Sequence, residues 1–185
     1  MTARSDSRPA VELPGWAQVS KGRRKHIVRV TNLLADWADA MSLPAAERQL
    51  WVDAGRYHDS LRDAPVEELR QLAGSAMAEV ELLHGPAAAA RLTRDGERRA
   101  NLLDAVRYHS IGWKDWDYVG KALYMADYLE PGRKFDLERR AALSTLVPHD
   151  FDLAFRRVVT VRMAYAREQG YTEYPESVAL LESVR

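Results

Sequence analysis

Apolar side chains recur every three to four residues along most of this chain, the spacing that places them on one face of an α-helix. The first such run follows Trp16 and stops at Ser42-Leu43-Pro44, because proline fits the first turn of a new helix. A second run ends at His58-Asp59. Two amphipathic helices are therefore predicted before residue 60. Their apolar positions are Val28, Leu33, Leu34, Trp37 and Met41, and then Leu50, Trp51, Ala54 and Tyr57.

Turn-forming residues separate the later runs. Gly74-Ser75, Asp95-Gly96 and Pro131-Gly132 each interrupt the apolar periodicity, and Gly170 ends the last long run. His84-Gly85-Pro86 is interpreted as a joint between helices. Further helices are accordingly predicted over residues 66–72, 77–83, 87–94, 101–109, 119–129, 137–146, 151–168 and 175–181.

No stretch alternates apolar and polar residues as a half-buried strand does, and no internal repeat is present. The predicted fold class is all-α, a single bundle of roughly seven to ten helices. We expect residues 1–15 to form a flexible tail and residues 16–185 to form the domain.

The helix predicted over 151–168 allows two interpretations, a buried core helix or the seam of a homodimer. Periodicity does not choose between them, because its apolar side chains lie on more than one face. These side chains include Phe155, Val158, Val159 and Val161.

The composition is that of an ordinary globular domain, and it narrows the possible partners. Of 185 residues, 46% are apolar and 29% are charged, and 27 lysines and arginines balance 27 aspartates and glutamates. A chain without net charge has no overall field that attracts nucleic acid or an anionic membrane. It contains no cysteine, which excludes disulfides, thiolate metal ligands and a cysteine nucleophile. Without a signal peptide or an apolar run of about 18 residues, a cytoplasmic location is expected.

Histidine and carboxylate side chains recur at positions that a helical bundle can bring together. Imidazole and carboxylate are ligands for borderline and hard divalent ions, among them iron, manganese and zinc. Bundles assemble metal sites from ligands that project inward from facing helices. The candidate ligands are His26, His58, Asp59, His84, His109 and Asp127.

The adjacent His58 and Asp59 are central to this hypothesis. Neighbouring residues on a helix point about 100° apart, so the two side chains cannot bind one ion from a single face. They can instead straddle a metal cluster, with the imidazole on one ion and the carboxylate bridging to a second. Each histidine alone is more simply interpreted as a surface or capping residue, and His149 beside Asp150 keeps that interpretation. Asp127 alone is more simply interpreted as a salt-bridge partner.

The order His26, His58-Asp59 and Asp127 resembles the signature of the HD-domain metal-dependent phosphohydrolases. Three further segments are similar to the YqeK-type branch, whose members are symmetrical diadenosine tetraphosphate hydrolases. The resemblance extends from about Ser20 to Arg167, most of the chain. The three segments are 82–86 (LLHGP), 107–110 (RYHS) and 124–133 (YMADYLEPGR).

The resemblance implies a dinuclear metal centre with one shared ligand. The first ion would be bound by His26, His58, Asp59 and Asp127. The second would share Asp59 and take His84 and His109. Both ions are expected to be iron, and the ligand chemistry also allows manganese. A hydroxide that bridges the ions would attack the central anhydride of diadenosine tetraphosphate and release two ADP.

Three arginines near this centre are candidates for phosphate binding. Arg133 follows a helix stop and Arg62 lies one turn past Asp59, so either guanidinium could bind two phosphate oxygens at once. Arg23 precedes His26 by three residues and lies on nearly the same helix face. Substrate binding is therefore predicted for Arg23, Arg62 and Arg133.

Asp59, Arg62 and Asp63 are the predicted catalytic residues. Asp63 could hold a metal-bound water or accept a proton, or it could simply cap a turn. Ser110 stands where the related sequences have threonine, keeps the hydroxyl, and is a further substrate-binding candidate.

Several positions differ from the related sequences, and we expect the differences near the nucleotide pocket. Arg56-Tyr57 replaces the two leucines that usually precede the His-Asp doublet, and residues 113–117 (WKDWD) replace smaller ones. Trp113, Trp116 and Tyr128 could stack on adenine or pack in the core. The differences leave open an HD-type nucleotidase or pyrophosphatase that acts on another nucleotide. A nucleotide-binding HD signalling module is a third possibility, which the intact ligand set disfavours.

Overall fold

The structure, a computed structural model, describes residues 10–74 and 79–185. Within these ranges the chain forms nine α-helices, one short 3-10 turn at Val80–Leu82, and no β-strand. The predicted all-α fold class is therefore confirmed. The helices are α1 (Lys21–Ala40), α2 (Ala45–Tyr57), α3 (Val66–Ala73), α4 (His84–Arg94), α5 (Ala100–Tyr108), α6 (Tyr118–Leu129), α7 (Leu137–Leu146), α8 (Phe151–Glu168) and α9 (Pro175–Ser183).

The first helix starts later than predicted. α1 begins at Lys21 rather than near Trp16. The reason is a local cap: the hydroxyl of Ser20 accepts a hydrogen bond from the backbone N–H of Arg23, 3.2 Å away. The predicted break at Ser42-Leu43-Pro44 is confirmed, and α2 follows it directly.

The predicted flexible tail is described only from Ala10 onward, and residues 1–9 lie outside the described residues. Arg56 of α2 donates from Nε to the carbonyl oxygen of Glu12 over 2.7 Å. The segment before α1 is therefore tied to α2 by a charge-assisted hydrogen bond.

The region around His84 differs most from the prediction. His84-Gly85-Pro86, interpreted as a joint, forms the first turn of α4, where proline removes no helical hydrogen bond. The helix predicted over 77–83 is not observed in its described part, which makes only the 3-10 turn. Residues 75–78, and with them the predicted cap Ser75, lie outside the described residues. His84 is consequently positioned by a helix start rather than by a loop.

Helices α1, α2 and α6 form the centre of the bundle, and each packs against the other two. Their buried faces follow the predicted periodicity, with Leu34, Trp51 and Leu123 among the least exposed side chains. Full burial of one such side chain stabilises the fold by about 1.5–3 kcal/mol. Because α1 and α6 carry predicted ligands and α2 ends at two more, this core sets the relative positions of the ligands.

Helix α8 belongs to the core. Phe155, Val158 and Val159 are buried within the single chain, so the structure supports the core interpretation of these side chains. Asp150 caps the helix, because its carboxylate accepts a hydrogen bond from the N–H of Leu153 over 3.1 Å. Among the described helices, none is both long enough and apolar enough to cross a membrane.

Candidate metal centre

The six predicted metal ligands meet at one buried point of the bundle. The four imidazoles and Asp59 are each 6% exposed or less. Two groups of three ligands, both including Asp59, have donor atoms within 4.8 Å of one another. The ligands come from five helices: His26 in α1, His58 and Asp59 just after α2, His84 at the start of α4, His109 just after α5, and Asp127 in α6.

The two carboxylate oxygens of Asp59 face different pairs of histidines. Oδ2 lies 3.6 Å from Nε2 of His26 and 3.5 Å from Nε2 of His58. Oδ1 lies 3.1 Å from Nε2 of His84 and 3.4 Å from Nε2 of His109. The carboxylate thus stands between two donor groups, which is the geometry of a bridging ligand.

Backbone carbonyls fix the orientation of three histidine rings. A carbonyl oxygen only accepts hydrogen bonds, so each facing Nδ1 carries a proton, and in the neutral ring Nε2 then keeps the lone pair. The contacts join Nδ1 of His58, His84 and His109 to the oxygens of Gly55, Glu81 and Val106, at 2.8, 2.9 and 2.7 Å. All three Nε2 lone pairs therefore point into the centre.

The spacing of the donors fits two metal ions. The Nε2 atoms of His84 and His109 are 3.0 Å apart, and those of His26 and His58 are 3.3 Å apart. Two ligand atoms bound at about 2.1 Å to one ion are separated by about 3.0–3.4 Å. When both rings are neutral, the lone pairs of the His84 and His109 Nε2 atoms face each other, an arrangement that a cation between them stabilises. Asp59 would complete both sites.

Burial and charge set the ionisation of the ligands. Burial lowers the pKa of His58 to about 4 and also lowers that of His84. Burial alone would raise the pKa of Asp59, but the neighbouring imidazoles of His58, His109 and His84 hold this pKa well below its usual range. His58 and His84 are therefore neutral imidazoles and Asp59 is a carboxylate at neutral pH, which are the forms that bind metal.

His26 is the exception. Burial opposes its charge, yet hydrogen bonds with Asp127 and Glu130 raise its pKa to about 9. Its Nε2 lies 3.1 Å from Oδ1 of Asp127, and its Nδ1 lies 3.1 Å from Oε1 of Glu130. The ring is thus an imidazolium in the metal-free protein, and a metal ion would have to displace its Nε2 proton.

The prediction from sequence missed Glu130, which holds His26 from the side opposite Asp59. Its side chain is only 1% exposed and accepts hydrogen bonds from Nε of Arg29 and, over 2.6 Å, from the N–H of Gly132. The sequence does carry a signal: Arg29 follows His26 by three residues, and Glu130 follows Asp127 by three.

Two of the predicted phosphate-binding arginines contact ligand carboxylates. Nη1 of Arg23 lies 2.7 Å from Oδ2 of Asp59. Nη2 of Arg133 lies 2.9 Å from Oδ1 of Asp127. Both guanidinium groups are partly exposed, so they border the centre on its accessible side.

Ser110 and Arg62 also lie beside the centre. The Oγ of Ser110 is 3.3 Å from Nε2 of His109 and 3.4 Å from Nε2 of His84. Nη1 of Arg62 donates to the carbonyl oxygen of Glu81 over 3.0 Å and lies 3.5 Å from Nδ1 of His84. Arg62 therefore contacts the His84 ring at Nδ1, which points away from the centre. Ser110 instead contacts the Nε2 atoms of His84 and His109, which point into the centre.

Asp63, from the segment after α2, lies beside the first turn of α1. Its side chain is exposed, and Oδ2 accepts a hydrogen bond from the N–H of Ser20 over 2.7 Å. Asp63 thus satisfies the backbone N–H of Ser20, the residue that caps the helix carrying His26. This is the kind of contact expected if Asp63 simply caps a turn, the second interpretation given for it above.

Contrary to the expectation, the residues that differ from related sequences are not all gathered beside the metal centre, although Ser110 is. Arg56 contacts Glu12, on the outer side of α2. Trp116 is buried in the core, and Trp113 stacks on Tyr108 with ring centroids 4.5 Å apart. These residues therefore have structural contacts of their own.

Of the three aromatic residues considered for adenine stacking, Tyr128 lines a cleft together with Asp127. The two tryptophans are not among the residues that line this cleft. His149 is exposed beside the capping Asp150 and is not one of the converging histidines.

The sequence and the structure can now be compared with known proteins. The HD domain family model matches residues 23–138, more than half of the chain. The chain belongs to the HD-domain family. All six converging residues lie within the matched segment.

Two relatives of this HD-domain chain carry the same name, symmetrical bis(5'-nucleosyl)-tetraphosphatase. The Bacillus subtilis protein is 29% identical over 126 residues, which cover 64% of this chain and 66% of that protein. The Halalkalibacterium halodurans protein is 27% identical over 169 residues, which cover 87% of this chain and 88% of that protein.

A solved structure shares the fold. It is a predicted HD superfamily hydrolase involved in NAD metabolism from Clostridium acetobutylicum, with a TM-score of 0.77 and 20% sequence identity. The match covers 90% of each chain. At this identity the likeness shows a common arrangement of helices.

Proposed function

We propose that this HD-domain protein is a metal-dependent hydrolase that cleaves diadenosine tetraphosphate symmetrically into two ADP. The observation that carries the proposal is the position of Asp59, whose two oxygens face two different histidine pairs at 3.1–3.6 Å. The names of the two relatives, matched over 64% and 87% of this chain, support the choice of substrate.

The proposed centre divides its ligands between two ions. When bound, two divalent ions would polarise a phosphoryl oxygen and activate water for attack on phosphorus. We propose iron, and the mixed imidazole and carboxylate set would also accept manganese. The first site would use His26, His58, Asp59 and Asp127. The second would use Asp59, His84 and His109.

The arginines at the rim would orient the phosphate chain. Arg23 and Arg133 each hold a candidate ligand carboxylate with one nitrogen and are partly exposed, so the exposed part of each guanidinium can bind phosphate oxygens. Fixed cations beside the reacting phosphorus stabilise the charge that develops in the transition state. The hydroxyl of Ser110 would donate a further hydrogen bond, and Arg62 would add positive charge beside His84.

For Asp63 we propose a positioning role in place of proton transfer. Its carboxylate would have to release the N–H of Ser20 before it could accept a proton from the reaction. Held as it is, Asp63 supports the first turn of α1, and thereby the position of His26 one and a half turns later.

Product analysis tests the proposed function. Protein reconstituted with iron or manganese would be incubated with diadenosine tetraphosphate and, in parallel, with a panel of mononucleotides. ADP as the only product supports symmetrical cleavage, whereas ATP together with AMP contradicts it. Turnover confined to a mononucleotide would favour the nucleotidase or pyrophosphatase alternative, and binding without turnover would favour a signalling module.

A further inference from the structure

A cleft opens from the metal centre between α6, α8 and the segment before α9. Its volume is about 310 Å³, at the lower end of the range of about 300–1,000 Å³ that is typical of small-molecule sites. Asp127 and Ser110, which border the metal centre, also line the cleft. A substrate phosphate at the metal centre would therefore extend directly into this space.

Arg162 places a positive charge at the inner end of the cleft. It reaches from α8 towards α6, where Nη1 donates to the carbonyl of Tyr124 over 3.2 Å and Nη2 to the carbonyl of Ser110 over 3.4 Å. Its guanidinium carbon lies 3.9 Å from the ring centroid of Tyr124. Among the described residues, no carboxylate lies within ion-pair distance of this guanidinium. Its charge is thus available to an anion beside the metal centre.

Exposed aromatic rings form the outer part of the cleft. Phe135 is 48% exposed and Tyr165 is 50% exposed, unusual values for large aromatic side chains. The planes of these two rings lie within 12° of each other, with centroids 6.5 Å apart. Tyr128 and Tyr171 extend the series, at 6.1 Å from Phe135 and 6.2 Å from Tyr165. A planar apolar group would find faces to stack on here.

We propose that this cleft binds one nucleoside of the substrate, with Arg162 on the phosphate nearest the metal centre and Phe135 and Tyr165 stacked on the base. The inference rests on the proposed function, because the metal centre is taken to hold the phosphates. Stacking uses the π-face that every base offers, so the cleft selects nucleotides over inorganic polyphosphates and discriminates little among purines.

Equilibrium binding to manganese-loaded protein tests the cleft without relying on turnover. The probes are ADP and inorganic pyrophosphate, measured by calorimetry with the wild type, Phe135→Ala and Tyr165→Ala. Each ring variant is expected to bind ADP about tenfold more weakly, while its affinity for pyrophosphate changes less than about twofold. Both side chains are half exposed, so the substitutions preserve the core.

Tyr118 provides the matched control. It is 57% exposed on the same helix as Tyr128, but its ring packs on Phe151, away from the residues that line the cleft. Tyr118→Ala is expected to bind both probes as the wild type does. An equal loss of ADP affinity in Tyr118→Ala, or ADP affinities unchanged in both ring variants, would overturn the proposal.

A pair of variants tests Arg162. Arg162→Gln is expected to weaken ADP and pyrophosphate alike, by about tenfold, because the charge acts on phosphate. Since Arg162 also binds two backbone carbonyls, thermal melting of the variant is measured alongside. Arg162→Lys keeps the charge and is expected to recover most of the pyrophosphate affinity. An equal loss in both variants would contradict a role for the charge.

The outcomes separate this inference from the proposed function. If ADP binding depends on the two rings but diadenosine tetraphosphate is not hydrolysed, the cleft proposal is supported and the proposed function is contradicted. Hydrolysis with ADP affinities that the ring variants do not change would keep the function and overturn the cleft. A wild type that binds no ADP would also overturn the cleft.

Discussion

Glu130 lies 3.1 Å from Nδ1 of His26, on the side of the ring opposite the ligand carboxylates. The two residues are 104 positions apart in sequence, and both are buried. A carboxylate behind a histidine fixes the orientation of the ring and increases its basicity as a metal ligand. Glu130 is therefore a positioning residue for the proposed first metal site.

Glu130→Gln is expected to lower metal affinity by about 10–100-fold, the range seen when the partner of a ligand histidine is removed. Glutamine keeps the shape but loses the charge that holds His26 and Arg29. Competition with a chelating dye measures the affinity. Glu138→Gln, on the exposed face of α7, is the control and should bind metal as the wild type does. Equal affinities in the two variants would refute the positioning role.

Asp59→Ala is expected to abolish hydrolysis, with a loss of more than about 100-fold, because it removes the carboxylate that faces both histidine pairs. Metal analysis should find fewer than the two ions per chain expected for the wild type. The helical circular-dichroism signal should stay largely intact, since the helices are held by the core. Asp115→Ala, at a site 58% exposed, serves as the control. Retained turnover in Asp59→Ala would end the bridging role.

Metal binding is expected to release about one proton from His26 between pH 6.5 and 8.5. The pKa of this ring is raised to about 9, so below pH 9 it is mostly protonated and must lose its proton to become a ligand. Affinity should therefore rise with pH across this window. His58, with a pKa lowered to about 4, contributes no proton there. Calorimetry in buffers of different ionisation enthalpy counts the released protons. Metal binding without proton release would contradict the charge state assigned to His26.

Removal of metal is expected to lower the melting temperature. An ion that binds only the folded chain at 100 times its Kd adds about 2.7 kcal/mol. For a chain of this size that corresponds to about 5–10 °C. Differential scanning calorimetry before and after chelation measures the shift. Asp59→Ala should show a clearly smaller shift than the wild type, and an equal shift would mean that the stabilising ions bind elsewhere.

Gly85→Ala is expected to destabilise the protein by about 1–3 kcal/mol and to weaken the second metal site. A Cβ at this position would lie 2.8 Å from the carbonyl oxygen of Arg107, 2.9 Å from that of Val106 and 3.3 Å from Cε1 of His109. Chemical denaturation and metal titration measure the two effects. Gly22→Ala is the control, because its Cβ would meet only Ser20 Oγ at 4.0 Å. If Gly85→Ala is as stable as the control, the prediction is wrong, because α4 and α5 would then move apart without lowering the free energy of unfolding.

The sequence alone determined the helical class, most helix limits and the types of ligand. These follow from local rules: apolar periodicity marks buried faces, glycine and proline mark ends, and imidazole with carboxylate marks a divalent metal site. The predicted limits of α7 and α8 agree with the structure, because a clear turn bounds each helix. Where the chain was locally ambiguous, at Trp16 and at His84-Gly85-Pro86, the prediction was wrong.

The tertiary structure decided how these parts meet. Three relationships depend on how the helices pack. Asp59 separates two histidine pairs, Glu130 supports His26, and Arg162 crosses to the carbonyl of Ser110. The angles and distances between helices come from the fit of many side chains across the core, which no single segment encodes. The sequence therefore specified the chemistry of the site, and the packing of the bundle assigned each residue its place in it.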